Sequence, residues 1–115
     1  MALAAVIVNI GIDNEAIKRA AMRALKQEAV ILKGKSQALC PVESGTLRDS
    51  CVIDEQDGYV TVGYGGAASA YAARQHENMA YHHDVGQAKF LEQPFTEMEE
   101  EIKEAVAKAV MGAFK

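Results

Sequence analysis

The sequence predicts an α+β fold, in which a long N-terminal helix and a C-terminal helix pack on a small, mostly antiparallel sheet that contains a β-hairpin. Three observations predict it. Apolar side chains recur at steps of three or four over residues 17–39, as on one face of a long helix. A second apolar stripe of this kind covers residues 95–113. Between the stripes, two strand-like runs flank Asp57-Gly58, a strong hairpin signal because both residues tolerate positive φ.

The N-terminal part of the chain predicts a strand followed by the long helix. Residues 3–10 (LAAVIVNI) form a compact apolar run rich in β-branched residues, which is typical of a strand. Asp13 or Asn14 can accept a backbone hydrogen bond as the N-cap of the helix that follows. Pro41 disfavours helical geometry at Cys40, so we expect the helix to end there.

The middle of the chain is predicted to form a connecting segment, then the hairpin, and then a surface segment. Residues 41–50 (PVESGTLRDS) are expected to form a turn and then a short helical turn. Strands are predicted at Ser50–Glu55 and Tyr59–Tyr64. Residues 65–70 have little bulk to pack and predict a loop or a close-contact surface. Residues 71–77 could form a short helix, and the polar residues 78–87 predict a surface loop.

The start of the last helix is predicted from its capping residues. Pro94 suits the first turn of a helix, where its missing N–H is not needed. Thr96 and Glu99 have the spacing of a capping box, which would leave Phe95 outside the helix.

Composition limits the class of protein. The chain has 115 residues, half of them hydrophobic, and we expect residues 1–115 to form one domain. No stretch approaches the roughly 18–20 apolar residues that span a membrane, and the apolar start lacks the basic leader of a signal peptide. We therefore expect a protein made in the cytoplasm. Cys40 and Cys51 have no zinc or redox spacing, so buried free thiols are expected, with a disulfide as the alternative.

Charge is distributed unevenly. The formal net charge is -4, which argues against a sequence-independent nucleic-acid binder. Residues 13–40 carry six basic and three acidic side chains, whereas residues 95–115 carry five acidic and three basic ones. Opposite signs on two helices suit either packing within a chain or head-to-tail contact between copies. The basic face of the first helix is expected to be solvated or to meet acidic neighbours.

The histidines are the strongest candidates for chemistry. His76 and Glu77, with His82, His83 and Asp84, contain ligands that zinc accepts, but their spacing matches no established zinc pattern. The pair His76 and Glu77 could also act in general acid–base catalysis. Ser44, Thr46 or Cys51 could serve as a nucleophile, yet no nucleophile-elbow pattern surrounds them. We expect surface or interface histidines, and we predict no catalytic residue, cofactor or metal.

The segment around Gly45 is interpreted as a structural connection between the first helix and the hairpin, which we call the joint. Gly45 permits backbone conformations that other residues resist, and Ser44 can cap the short turn that follows. Leu47 can anchor this turn in the core, and Arg48 can pair with a nearby carboxylate. The residues assigned to this structural joint are Pro41, Ser44, Gly45, Thr46, Leu47 and Arg48.

These residues carry a resemblance to a known family. Residues 40–50 (CPVESGTLRDS) resemble the joint "aPvdtGtLrdSi" of the lambdoid siphophage tail-component family, small neck or tail-completion proteins sometimes labelled minor capsid proteins. The hairpin end VTVGY, then YAARQHE at 71–77 and GQAKFLEQP at 86–94, follow in the family's order. Two features depart from the pattern: Cys40 replaces a small alanine, and the strand at 3–10 has no counterpart.

The resemblance implies a structural virion protein at the neck, between the DNA-filled head and the tail. It implies a sixfold or twelvefold ring of copies, closed by heterologous contacts. The implied neighbours are portal, adaptor or head-closure proteins and tail-terminator or tail-tube proteins, with DNA nearby in a channel and no membrane. The residues expected to contact other subunits are Tyr71, Arg74, His76, Glu77, His82, His83, Phe90 and Leu91.

Two alternatives stay open. The first keeps the virion setting and makes the chain a minor capsid or tail-terminator component. The second, from another class, is a metal-dependent hydrolase that uses the histidines and Glu77.

Overall fold

A computed structural model describes residues 5–40, 48–65 and 89–114. It contains strand β1 (Ala5–Asn9), helix α1 (Glu15–Leu39), strands β2 (Val52–Gln56) and β3 (Tyr59–Gly63), and helix α2 (Lys89–Ala113). The predicted α+β fold is confirmed, because two long helices pack on a small antiparallel sheet that includes a hairpin.

The sheet has the strand order β1-β3-β2, with both pairs antiparallel. Thr61 of β3 lies between Ile7 of β1 and Asp54 of β2. Side chains alternate between the two faces of each strand, so Val6, Val60 and Val62 share the face that packs on the helices. Ile7 and Tyr59 are buried on the opposite face.

Helix α1 begins and ends where its local signals predict. Of the two candidate caps, Asn14 is the one used: its Oδ1 accepts a hydrogen bond from the Ile17 N–H at 3.0 Å. Glu15 adds a favourable charge to the first turn. At the other end, Cys40 is extended, with φ of -67° and ψ of 137°, as expected for the residue before Pro41.

The hairpin turn is also tied to β1. Gly58 has φ of 93°, a conformation that L side chains rarely adopt. Its carbonyl accepts a hydrogen bond from the Ile10 N–H at 2.6 Å, which fixes the end of β1 against the turn.

Helix α2 begins earlier than predicted. It starts at Lys89, so Pro94 lies inside the helix and the predicted Thr96–Glu99 capping box is wrong. The physical reason is packing: Leu91 and Phe95, four residues apart, are both buried in the core and extend the apolar stripe towards the N-terminus. Pro94 is itself fully buried, and because it has no N–H it cannot donate a hydrogen bond to the carbonyl of Phe90, four residues before it.

One core holds the described elements together. It lies between the helix-facing side of the sheet and the inner stripes of the two helices. Its largest members from the two helices are Met22, Leu25, Leu32, Leu91, Phe95, Met98 and Ile102. Within the described ranges, no helix combines the length and the apolar character that crossing a bilayer requires.

Candidate functional site

Four parts of the chain that are distant in sequence lie close together at one place in the fold. They are the end of α1, the residues before β2, the residues after β3, and the first turn of α2. We call this meeting point the anchor and define it by Ser36, Gln37, Cys40, Arg48, Ser50, Cys51, Tyr64, Gly65 and Phe90. The anchor contains described residues on both sides of segments 41–47 and 66–88, which themselves lie outside the described residues.

A buried hydroxyl pair forms the centre of the anchor. Ser36 Oγ and Tyr64 Oη lie 2.6 Å apart, and both side chains are 0% exposed. Ser36 occupies the apolar stripe of α1, where an unpaired hydroxyl would be costly. Tyr64 extends the inward face of β3, so the bond joins the last turns of α1 to the end of the hairpin.

Tyr64 also connects the hairpin to α2. Its ring meets the ring of Phe90 edge-on, with centroids 5.0 Å apart and an interplanar angle of 87°. This arrangement places the positive edge of one ring against the negative face of the other and is favourable for aromatic pairs. Phe90 is half-buried and packs against the core.

Three further hydrogen bonds hold the chain on either side of the joint. Gln37 Nε2 donates to the carbonyl oxygen of Arg48 at 2.9 Å, and the Cys51 N–H donates to the same oxygen at 3.3 Å. The Gly65 N–H donates to Ser50 Oγ at 2.8 Å. Arg48 therefore links the joint to α1 through its backbone.

The two cysteines are free and buried, as predicted. Burial raises the pKa of the Cys51 thiol, and it also raises the pKa of Tyr64. Both groups therefore stay protonated at neutral pH, and a protonated thiol is a poor nucleophile. These buried, protonated groups are suited to holding the four segments of the anchor together.

The predicted site residues divide into two groups. Arg48 and Phe90 lie in the anchor, and Leu91 is 0% exposed in the core. A contact to another subunit through the Leu91 side chain would require the core to open. The others lie outside the described residues: Pro41, Ser44, Gly45, Thr46, Leu47, Tyr71, Arg74, His76, Glu77, His82 and His83.

The sequence reasoning missed the bond between Ser36 and Tyr64. A signal was available, because Ser36 is the one hydroxyl on the apolar stripe of α1 and a buried hydroxyl needs a partner. The partner itself could not be chosen, since Tyr64 lies 28 residues away along the chain.

The basic face of α1 meets the hairpin. Lys18 Nζ lies 3.0 Å from a carboxylate oxygen of Asp57, and Lys26 Nζ lies 3.3 Å from one of Glu55. For Lys18 and Lys26, the expected acidic neighbours are therefore hairpin residues of the same chain. Between α1 and α2, by contrast, two acidic residues interact: burial, and then the nearby Glu101, raise the pKa of Glu28 to about 7.

No group of three potential metal ligands occurs in the part of the chain that the structure describes. Comparisons of the chain with protein-family models, with curated proteins and with solved structures find no match.

Proposed function

We propose that this chain is a structural protein of a tailed phage and forms a ring at the head–tail joint. One observation carries the proposal: blocks that are separated along the chain but follow the order of the tail-component family converge on the anchor. Arg48 comes from the first block, Tyr64 from the end of the hairpin and Phe90 from the last block. Since no family model matches, the proposal rests on the order of these blocks and on their meeting in space.

The anchor gives the proposal a mechanical basis. It fixes residues on both sides of segments 41–47 and 66–88, which contain most of the proposed subunit contacts. Holding the ends of a segment lowers the conformational entropy that is lost when the segment binds a partner. A binding surface presented in this way suits a protein whose purpose is contact with other chains.

A ring supplies the partners that such segments need. Tails have sixfold symmetry, and heterologous interfaces between identical copies close into rings. The net charge of -4 would also weaken the attraction of a channel wall for passing DNA.

Electron microscopy of particles that carry this chain tests the placement. The proposal predicts density for the chain in a ring between the portal and the tail tube. Density on the shell surface would instead support the minor capsid alternative and refute the joint.

A second experiment separates assembly from catalysis. The double substitution His82→Ala and His83→Ala is expected to keep the circular dichroism spectrum of the native chain and to reduce the number of joined particles. The hydrolase alternative predicts one zinc ion per chain in protein purified without a histidine tag. Stoichiometric zinc together with unchanged assembly of the double variant would overturn the structural proposal.

A further inference from the structure

Helix α1 has a second regular face, on the side away from the core. The residues of this outer face recur at steps of three or four and are all exposed: Ala16, Arg19, Arg23, Gln27, Val30 and Gly34. Val30 is 56% exposed. A surface helix normally carries polar side chains opposite its core face, so an exposed valine beside small residues there is typical of a second contact surface.

Gly34 marks a gap in this outer face. A Cβ atom built on Gly34 would meet no heavy atom within 4 Å outside its own part of the helix, so packing within the chain does not require a glycine here. Glycine inside a helix is less favourable than alanine, because it loses more backbone freedom on folding. The missing side chain, four residues after Val30, lets another chain approach the backbone of α1 closely.

Helix α2 has an outer face with the same spacing. Its residues are also exposed and recur at steps of three or four: Glu97, Glu100, Glu104, Ala107 and Met111. Met111 is 67% exposed. This face is acidic towards its N-terminal end and apolar at its C-terminal end. The outer face of α1 has the matching order, basic first and apolar afterwards.

The two outer faces match in register when the helices run side by side in the same direction. Steps of four and then seven residues separate the corresponding positions, which are Arg19, Arg23 and Val30 on α1 and Glu100, Glu104 and Met111 on α2. Placing Arg23 beside Glu104 therefore places Val30 beside Met111, two turns or about 10 Å further on. Charged side chains meet opposite charges, and apolar side chains meet each other.

The charges on these faces are not paired between the helices of one chain. Among the residues that the structure describes, no ion pair joins α1 to α2, and Arg19, Arg23 and Glu104 form none at all. Glu100 lies 3.8 Å from Lys103 of its own helix, in a pair that is largely exposed. Contact of α1 with α1, or of α2 with α2, between two copies would bring like charges together, whereas contact of α1 with α2 brings opposite charges together.

We propose that the outer face of α1 binds the outer face of α2 from a second copy of this chain, with the two helices parallel. Such a contact joins two different faces, so each copy can bind a neighbour at both. Repetition of the contact closes a ring, and its reciprocal use by two copies makes a dimer. The contact between two copies stands on the two faces alone, and only its closure into a ring rests on the proposed function.

A charge swap in the full chain tests this contact, with the mass of the assembled species measured by sedimentation equilibrium. Arg19→Glu with Arg23→Glu makes both outer faces acidic, and Glu100→Lys with Glu104→Lys makes both basic. Each double variant alone should associate at least about tenfold more weakly than the native chain. An equal mixture of the two should recover assembly with an even number of copies, because each α1 then meets an oppositely charged α2.

Two single changes separate the contact from general effects of charge and folding. Lys35→Glu is the matched control for Arg23→Glu, since it makes the same change of charge at an exposed residue of α1 outside the outer face, and it should associate as the native chain does. Gly34→Gln should keep the helical circular dichroism spectrum and weaken association, because its side chain fills the gap.

Three results would overturn the contact. They are a native chain that stays monomeric up to about 1 mM, equal association of Arg23→Glu and Lys35→Glu, and no recovery in the mixture of double variants. The measured mass separates the contact from the proposed function. A dimer that obeys the charge swap supports the contact and contradicts a ring built by it, whereas a species of about six or twelve copies supports both.

Discussion

Replacing Tyr64 with phenylalanine removes one hydroxyl group from the centre of the anchor and leaves the ring in place. The edge-on contact with Phe90 is kept, but Ser36 Oγ, buried and 2.6 Å from the lost oxygen, is left without that partner. Leaving a buried polar group unsatisfied costs about 1–3 kcal/mol, so we expect Tyr64→Phe to lower the free energy of unfolding by ~2 kcal/mol. For a chain of 115 residues this corresponds to a fall in Tm of ~8 °C.

A double-mutant cycle with Ser36→Ala isolates the hydroxyl pair. Removing both hydroxyls leaves neither member of the pair unsatisfied, so the double variant should be more stable than the sum of the single changes by about 1–2 kcal/mol. Urea unfolding followed by circular dichroism at 222 nm measures all four free energies. Additive single changes, or a neutral Tyr64→Phe, would refute the claim that this bond holds α1 to the hairpin.

Three further changes probe the elements that position the anchor. Asn14→Ala removes the N-cap of α1 and should lower the free energy of unfolding, measured with urea, by ~1 kcal/mol, whereas Asn14→Ser should restore most of this loss. Equal stability of the three chains would contradict the cap. Leu91→Ala leaves a cavity in the core and should lower the free energy of unfolding by about 2–5 kcal/mol, which is visible as a lower thermal midpoint. A loss below ~1 kcal/mol would show that this position is not buried. Gly58→Val should cost about 1–3 kcal/mol in calorimetry through backbone strain at positive φ, and a neutral result would mean that the turn relaxes.

The elements that the sequence predicted correctly have local causes. Asn14 caps α1 within three residues, Pro41 ends the helix at the residue before it, and Asp57-Gly58 supplies the turn between two adjacent strands. Each signal and its effect lie within one turn of the chain. Short-range geometry therefore decides these features, and it can be read from residue order.

The features that the sequence did not predict depend on distant contacts. The pairing of β1 with β3 joins residues that are fifty or more positions apart, and nothing in either strand selects the other. The early start of α2 follows from burial of Leu91 and Pro94, which local capping rules at Thr96 could not anticipate. The interaction of Glu28 with Glu101 likewise depends on how the two helices lie together. The opposite net charges of those helices predicted attraction between them instead.

The number of copies in a purified particle tests the proposed role most directly. Quantitative mass spectrometry of intact particles, with the portal protein as the internal standard, gives this number for the native chain. A ring at the head–tail joint predicts on the order of six or twelve copies per particle. Many tens of copies would assign the chain to the shell, and its absence from the particle would contradict a structural role.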